Sequence, residues 1–199
     1  ATRGIGFAIA EELLRHGATV FITARKQDEL DSACAALSAL GTVESMAASA
    51  GVPADVEASV RRCVERFGSV DVLVNNAATN PQFGPLVDAD LGAMRKVWDV
   101  NLLGPLWYAR EAWHASMRDR GGSIINVASV SGIAPTTMSG AYNIAKAALI
   151  HLSRQLALEL GPRVRVNTLV PGLVRTRFAQ AQLDGADDHD ALAARHPLG

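Results

Sequence analysis

The chain has 199 residues, of which 49% are hydrophobic and 20% charged, and a formal net charge of −1. This is the balance of an ordinary globular chain, and the length suits a single domain, 1–199, with a sizeable core. A charge so near zero gives no electrostatic footprint for nucleic acid or an anionic membrane, and no apolar run approaches the ~20 residues that span a bilayer. Cys34 and Cys63 stand alone, with no CxxC and no His/Cys cluster. They read as free thiols in a reducing compartment, and no metal is assigned. The chain opens without a basic and then apolar leader, so a cytoplasmic protein is expected.

In chain order, Ala1-Thr2-Arg3-Gly4-Ile5-Gly6 runs into a helical pattern over 6–16 that stops at Gly17. Glycines at such a turn let the backbone approach a pyrophosphate, which can also use the free N–H groups of the helix start. A short Val/Ile-rich strand is expected over 19–23, followed by Ala24-Arg25. Dinucleotide folds often carry an acid there to bind the ribose hydroxyls and disfavour a 2′-phosphate. Here Arg25 stands in that region and Arg3 in the turn, and guanidinium groups bind phosphate bidentately. The expectation is therefore NADP(H) in preference to NAD(H).

A helix over 27–40, a weak strand at 43–47, a helix over 54–67 and a strand over 70–74 follow. The last of these is closed by Asn75-Asn76-Ala77-Ala78, where Asn can tie strand ends together or face a cofactor. A long helix is expected over 88–119, a strand over 123–127, a helix over 140–160 ended by Gly161-Pro162, and a strand over 163–169. Strand alternating with helix implies an α/β, Rossmann-type doubly wound parallel sheet with helices on both faces and ligands at the carboxyl ends of its strands. The turn at the chain start has no strand before it, and His196-Pro197-Leu198-Gly199 adds no closing element. A first strand and a carboxyl-terminal segment are thus expected to be missing, and without its central first strand the piece is not expected to be a stable enzyme by itself.

Tyr142 and Lys146 are four apart in the 140–160 helix, on one face and about 5–6 Å apart at Cβ. A free phenol has a pKa of about 10, and a nearby ammonium favours its phenolate. Ser129 follows the 123–127 strand, at a carboxyl end. Pro105 lies four residues after Asn101; proline donates no N–H and clashes with the carbonyl at i−4, so a kink there would free the Asn101 carbonyl for a water.

These motifs together, Thr2 to Gly6, Asn75-Asn76-Ala77, Asn101, Ser129, Tyr142-Asn143-Ile144-Ala145-Lys146 and Pro171-Gly172-Leu173-Val174-Arg175-Thr176, resemble the short-chain dehydrogenase/reductase family over essentially the whole chain. Within it the chain is most similar to NADPH-dependent 3-oxoacyl-acyl-carrier-protein reductases and carbonyl reductases. The resemblance implies Tyr142 as general acid/base, Lys146 lowering its pKa and holding the nicotinamide ribose, Ser129 bound to the substrate carbonyl and Asn101 anchoring a proton-relay water. It places Thr2, Arg3, Gly4, Ile5, Gly6, Arg25, Asn75, Ala77, Pro171, Gly172, Val174 and Thr176 around the cofactor. Ser49 and Ala50 fall where relatives contact adenine, without the usual acid. It also implies a homotetramer through the helices 88–119 and 140–160, and a polar substrate lid over 177–199. Phe178, Leu183 and the 79–87 loop with Asn80, Pro81 and Phe83 are expected to line a small-molecule carbonyl or alcohol site. Two other readings are a non-catalytic NADP(H)-binding sensor or scaffold, and a dehydratase or epimerase.

Overall fold

The computed structural model describes residues 1–176 and 178. The lid expected over 177–199, with Leu183, falls outside them except for Phe178.

Among the described residues five strands, each paired in parallel, carry the fold: β1 Val20–Ala24, β2 Val43–Ala47, β3 Val72–Asn75, β4 Gly122–Val127 and β5 Val164–Leu169. β1 pairs with β2, and β4 lies between β3 and β5, in register from Gly122 opposite Val164 to Val127 opposite Leu169. Each crossover is helical, as parallel pairing requires. The helices are α1 Gly4–Arg15, α2 Gln27–Leu37, α3 Pro53–Phe67, α4 Leu91–Trp98, α5 Gly104–Ala112, the short α6 Arg118–Arg120 and α7 Gly140–Leu160. This is the doubly wound α/β architecture that the alternation predicts.

Local chemistry sets the helix ends. α3 starts with Pro53 in its first turn, where no N–H is needed, and stops at Gly68 with φ 84°. The Asp90 carboxylate accepts from Ala93 N at 2.7 Å and caps α4. α7 and β2 match their expected ranges, and the other strands shift by one or two residues from theirs. Strand β3 is the largest shift, since Val70 and Asp71 precede it and its last residue is Asn75.

The long helix expected over 88–119 is interrupted. After α4 the chain widens into a π turn, Asp99–Leu103, and after α5 into another, Trp113–Met117. Pro105 cannot return an N–H to Asn101, and the first widening absorbs that mismatch beside it. Asn101 is thereby buried within the wall that packs on α7.

The core has two large parts. Ala10, Leu14, Val20, Ile22, Leu30, Ala33 and Leu37 join α1, β1 and α2. Ala109, Ala112, Met117, Ile124, Leu156, Val164 and Val166 join α5, β4, α7 and β5. Among the described residues the two groups of strands form separate sheets, and β1 and β3 face each other across a cavity of about 370 Å³. Its walls include Val20 and Ile22 on one side and Val72 and Val74 on the other.

Candidate active site

The candidate catalytic side chains gather at the carboxyl end of β4. Ser129 lies two residues past the strand, and its Oγ accepts from Ser131 N at 3.2 Å and from Ser131 Oγ at 2.9 Å. Both bonds are accepted, so the Ser129 proton is left to be donated. The turn that follows, Val130–Gly132, is pressed onto α7: a Cβ on Gly132 would come to 2.8 Å from the Lys146 carbonyl carbon. No motif spacing singles out Gly132, because its requirement comes from another element's backbone.

Tyr142 and Lys146 lie together on α7, with Lys146 Nζ 5.6 Å from the Tyr142 ring centroid. Behind the tyrosine, Val97 of α4 packs with Ala141 and Ala145. The Phe178 ring lies 5.7 Å from it at a 41° tilt. Lys146 is 2% exposed and donates to Val127 O at 2.7 Å. Burial lowers its pKa to about 8.

Here the electrostatics depart from expectation. The Tyr142 phenol is held above its ordinary pKa by burial, and the hydrogen bond with Ser129 acts in the opposite direction. Lys146 is not among the groups acting on it. The ammonium is turned to the β4 backbone instead of the phenol oxygen, and its own charge is disfavoured by the same burial.

Asn101 contributes through its side chain, which sequence reasoning did not use. Its Oδ1 accepts from Thr79 N at 2.8 Å and its Nδ2 donates to Thr79 O at 2.9 Å. The amide therefore clamps the start of the 79–87 loop, and any part in a proton relay falls to the main-chain carbonyl. Further along the loop, Asn80 Nδ2 donates to Ser139 Oγ at 3.3 Å and Gly84 N to Met138 O at 2.9 Å. Among the described residues, the buried Asn80 Oδ1 and Gln82 Oε1 have no donor. The second loop is anchored by Asn143, whose Nδ2 donates to Thr136 O at 2.7 Å.

The expected cofactor residues divide into three groups. Gly4 has φ +57°, and a Cβ on Gly6 would meet Asn76 Nδ2 at 2.6 Å, so this turn is closed to side chains. Thr176 Cγ2 would lie 3.3 Å from a Cβ on Gly4, which brings the Pro171–Thr176 loop to the glycine turn. Pro171 O in turn accepts from Val130 N at 3.1 Å, next to Ser129. Around Gly172 there is open space, and Val174 is exposed.

The second group has structural duties. Asn75 is buried and donates to Asn126 Oδ1 at 2.9 Å and Pro105 O at 3.4 Å. It ties β3 to β4, and Asn76 is the one beside the glycine turn. Ser49 N is bound to Asp55 Oδ2 at 2.9 Å, and Ala50 O lies 2.5 Å from a Cβ built on Gly104. The Ser49 N–H, the backbone donor on which adenine contact could rest, is therefore already used.

The third group is cationic. Arg25 is exposed and makes no ion pair among the described residues, whereas Arg3 pairs with Glu29. Lys26, missed in the sequence, reaches the same carboxylate. A closed glycine turn, a cationic edge and open space at Gly172 suit the donor set that a nicotinamide dinucleotide needs.

A family model described as enoyl-(acyl carrier protein) reductase matches residues 1–199. Dehydrogenase/reductase SDR family member 4 of Homo sapiens is 38% identical over 182 residues, covering 90% of this chain and 66% of the relative. The chain thus spans just under two thirds of that relative's length. A short-chain type dehydrogenase/reductase from Mycobacterium ulcerans superposes with TM-score 0.92 at 29% identity, over 99% of this chain and 74% of that one. A xylitol dehydrogenase with NAD+ bound gives TM-score 0.88 at 26% identity, covering 98% and 80%. An alcohol dehydrogenase from Thermococcus sibiricus complexed with 5-hydroxy-NADP gives 0.84 at 30%, covering 89% and 75%. The chain belongs to the short-chain dehydrogenase/reductase family, whose members are oxidoreductases using NAD(P)(H). Among the described residues, no helix is long and apolar enough to cross a membrane.

Proposed function

We propose that the chain interconverts a small-molecule carbonyl and its secondary alcohol with NADP(H) in preference to NAD(H). The observation that carries this reading is the convergence of Ser129, Tyr142 and Lys146 at the end of β4, beside a loop tied to the glycine turn through Thr176. Thr2, Arg3, Gly4, Ile5, Gly6, Arg25, Pro171, Gly172, Val174 and Thr176 would hold the cofactor, which supplies or accepts the hydride when bound.

The remaining steps belong to the protein. Ser129, hydrogen-bonded with Tyr142 before substrate binds, donates its proton to the substrate oxygen and orients it. Tyr142, kept protonated by burial, delivers a proton to that oxygen during reduction and retrieves it during oxidation. Lys146, with a pKa of about 8, exchanges protons near neutrality and re-supplies the phenol, and the Asn101 carbonyl serves as acceptor for the relay water. Phe178 covers the outer side of the tyrosine, and the unpaired amide oxygens of Asn80 and Gln82 offer acceptors on the substrate loop.

The test is Tyr142→Phe. Turnover of a ketone panel with NADPH should fall by at least about a thousandfold while NADPH binding persists. Retained turnover would exclude Tyr142 as the proton donor. Assembly as a homotetramer is part of the same reading. Leu91, Trp98, Leu106, Ile144 and Leu158, all on α4, α5 or α7, are exposed apolar side chains that subunit contact would cover. Solution scattering of the protein at about its working concentration decides this.

A further inference from the structure

Three polar groups from two elements converge on one carboxylate. Arg3 Nη1 lies 3.6 Å from Glu29 Oε1, and Lys26 Nζ lies 3.4 Å from the same oxygen. Thr2 Oγ1 donates to Glu29 Oε2 at 3.2 Å. Glu29 is in the first turn of α2, where the helix dipole alone would favour an acid. The dipole does not account for Thr2 and Arg3, which reach it from the glycine turn.

The place matters more than the pairing. The groups bridge the glycine turn and the end of β1, the corner at which this fold receives the adenosine ribose and any phosphate on its 2′-oxygen. A guanidinium, an ammonium and a hydroxyl are the donors a phosphate would recruit. Here a side chain of the protein already engages them.

We propose that Glu29 is a built-in competitor for the 2′-phosphate of the cofactor, and that it holds the preference for NADP(H) over NAD(H) to a modest ratio. A 2′-phosphate must displace the carboxylate from Thr2, Arg3 and Lys26 and meets its negative charge. A ribose 2′-hydroxyl can donate to the same carboxylate. The side chains of Arg3 and Lys26 are 52% and 66% exposed, so these pairs are weak enough to exchange. Arg25, outside the cluster, stays available to the phosphate. The inference rests on the dinucleotide reading above.

Equilibrium titration of the protein with NADP+, NAD+ and 2′,5′-ADP, without any substrate, tests it. Glu29→Gln should bind NADP+ and 2′,5′-ADP about fivefold more tightly and NAD+ no more tightly. The gain should shrink as salt rises toward about 0.5 M. Arg3→Gln should weaken NADP+ and remove most of the effect of Glu29→Gln when the two are combined. An unchanged ratio of NADP+ to NAD+ affinity in Glu29→Gln, with binding intact, overturns the role of Glu29 and leaves the proposed activity standing. Failure of the unaltered protein to bind either dinucleotide overturns both.

Discussion

Gly132 and Lys146 meet backbone to backbone: a Cβ on the glycine would sit 2.8 Å from the lysine's carbonyl carbon and 2.9 Å from Ala147 N. Neither atom is the end of a flexible side chain, so α7 or the Ser129 turn would have to move. Gly132→Ala should cost about 1–3 kcal/mol of stability. It should also lower kcat/KM about 10–100-fold by displacing Ser129 from Tyr142. Thermal melts and steady-state kinetics check this, and a fully active, equally stable variant would mean the contact is not rigid.

Lys146 should cost the protein stability at neutral pH. Its pKa falls from 10.5 to about 8 through burial, so below about 8 it is charged in both states and the full penalty applies. Between about 8 and 10.5 the folded form loses its proton first, and the lysine's contribution to stability rises with pH. Above 10.5 the penalty has gone. Lys146→Met should therefore raise stability by about 1–3 kcal/mol at pH 7, even after loss of the bond to Val127 O, while turnover collapses. The gain should fade toward pH 10. Denaturant titrations of both proteins at several pH values measure it, and a less stable variant at pH 7 would show that the hydrogen bond outweighs desolvation.

A buried relay of amides joins β3, β4 and α7. Asn75 donates to Asn126, Asn126 Nδ2 donates to Ser153 Oγ at 2.8 Å, and Ser153 donates to Leu149 O at 2.8 Å. Asn126→Leu removes the middle member, leaving Asn75 without a close partner in the interior. The expected loss is about 2–4 kcal/mol, read as a lower urea midpoint with an unchanged m-value. A midpoint within about 0.5 kcal/mol of the parent would mean that the site re-pairs.

Asn143 stands between Tyr142 and Lys146 in sequence, and its amide holds Thr136 O. Asn143→Ala should loosen the 133–139 segment that links to Gly84 through Met138. KM should rise about tenfold and kcat fall much less. A loss confined to kcat would place Asn143 in the chemistry instead of the loop.

Much of this was legible in one dimension because it depends on local rules. Val/Ile-rich runs alternating with 3.6-residue periodicity determine a parallel α/β sheet, and Gly161-Pro162 ends α7 where the spacing predicts. The i, i+4 geometry alone puts Tyr142 and Lys146 on one face. Pro105 marks the place of a helix defect, although its form, a π turn at Asp99–Leu103 that buries Asn101, reflects packing against α7.

What the sequence determined by itself was the order of elements, the glycine turn that opens α1 and the placing of Tyr142 and Lys146 on one helix face, since each follows from neighbours within a few residues. Only the tertiary structure decided how their charges and hydrogen bonds are used. Burial raises the Tyr142 pKa and lowers that of Lys146, the β3–β4 junction claims Asn75, and the 79–87 loop claims the Asn101 amide. Arg3, read as a phosphate ligand, shares Glu29 with Lys26 because α2 begins beside the glycine turn. Desolvation and pairing act between elements far apart in the chain, and no spacing rule along it encodes them.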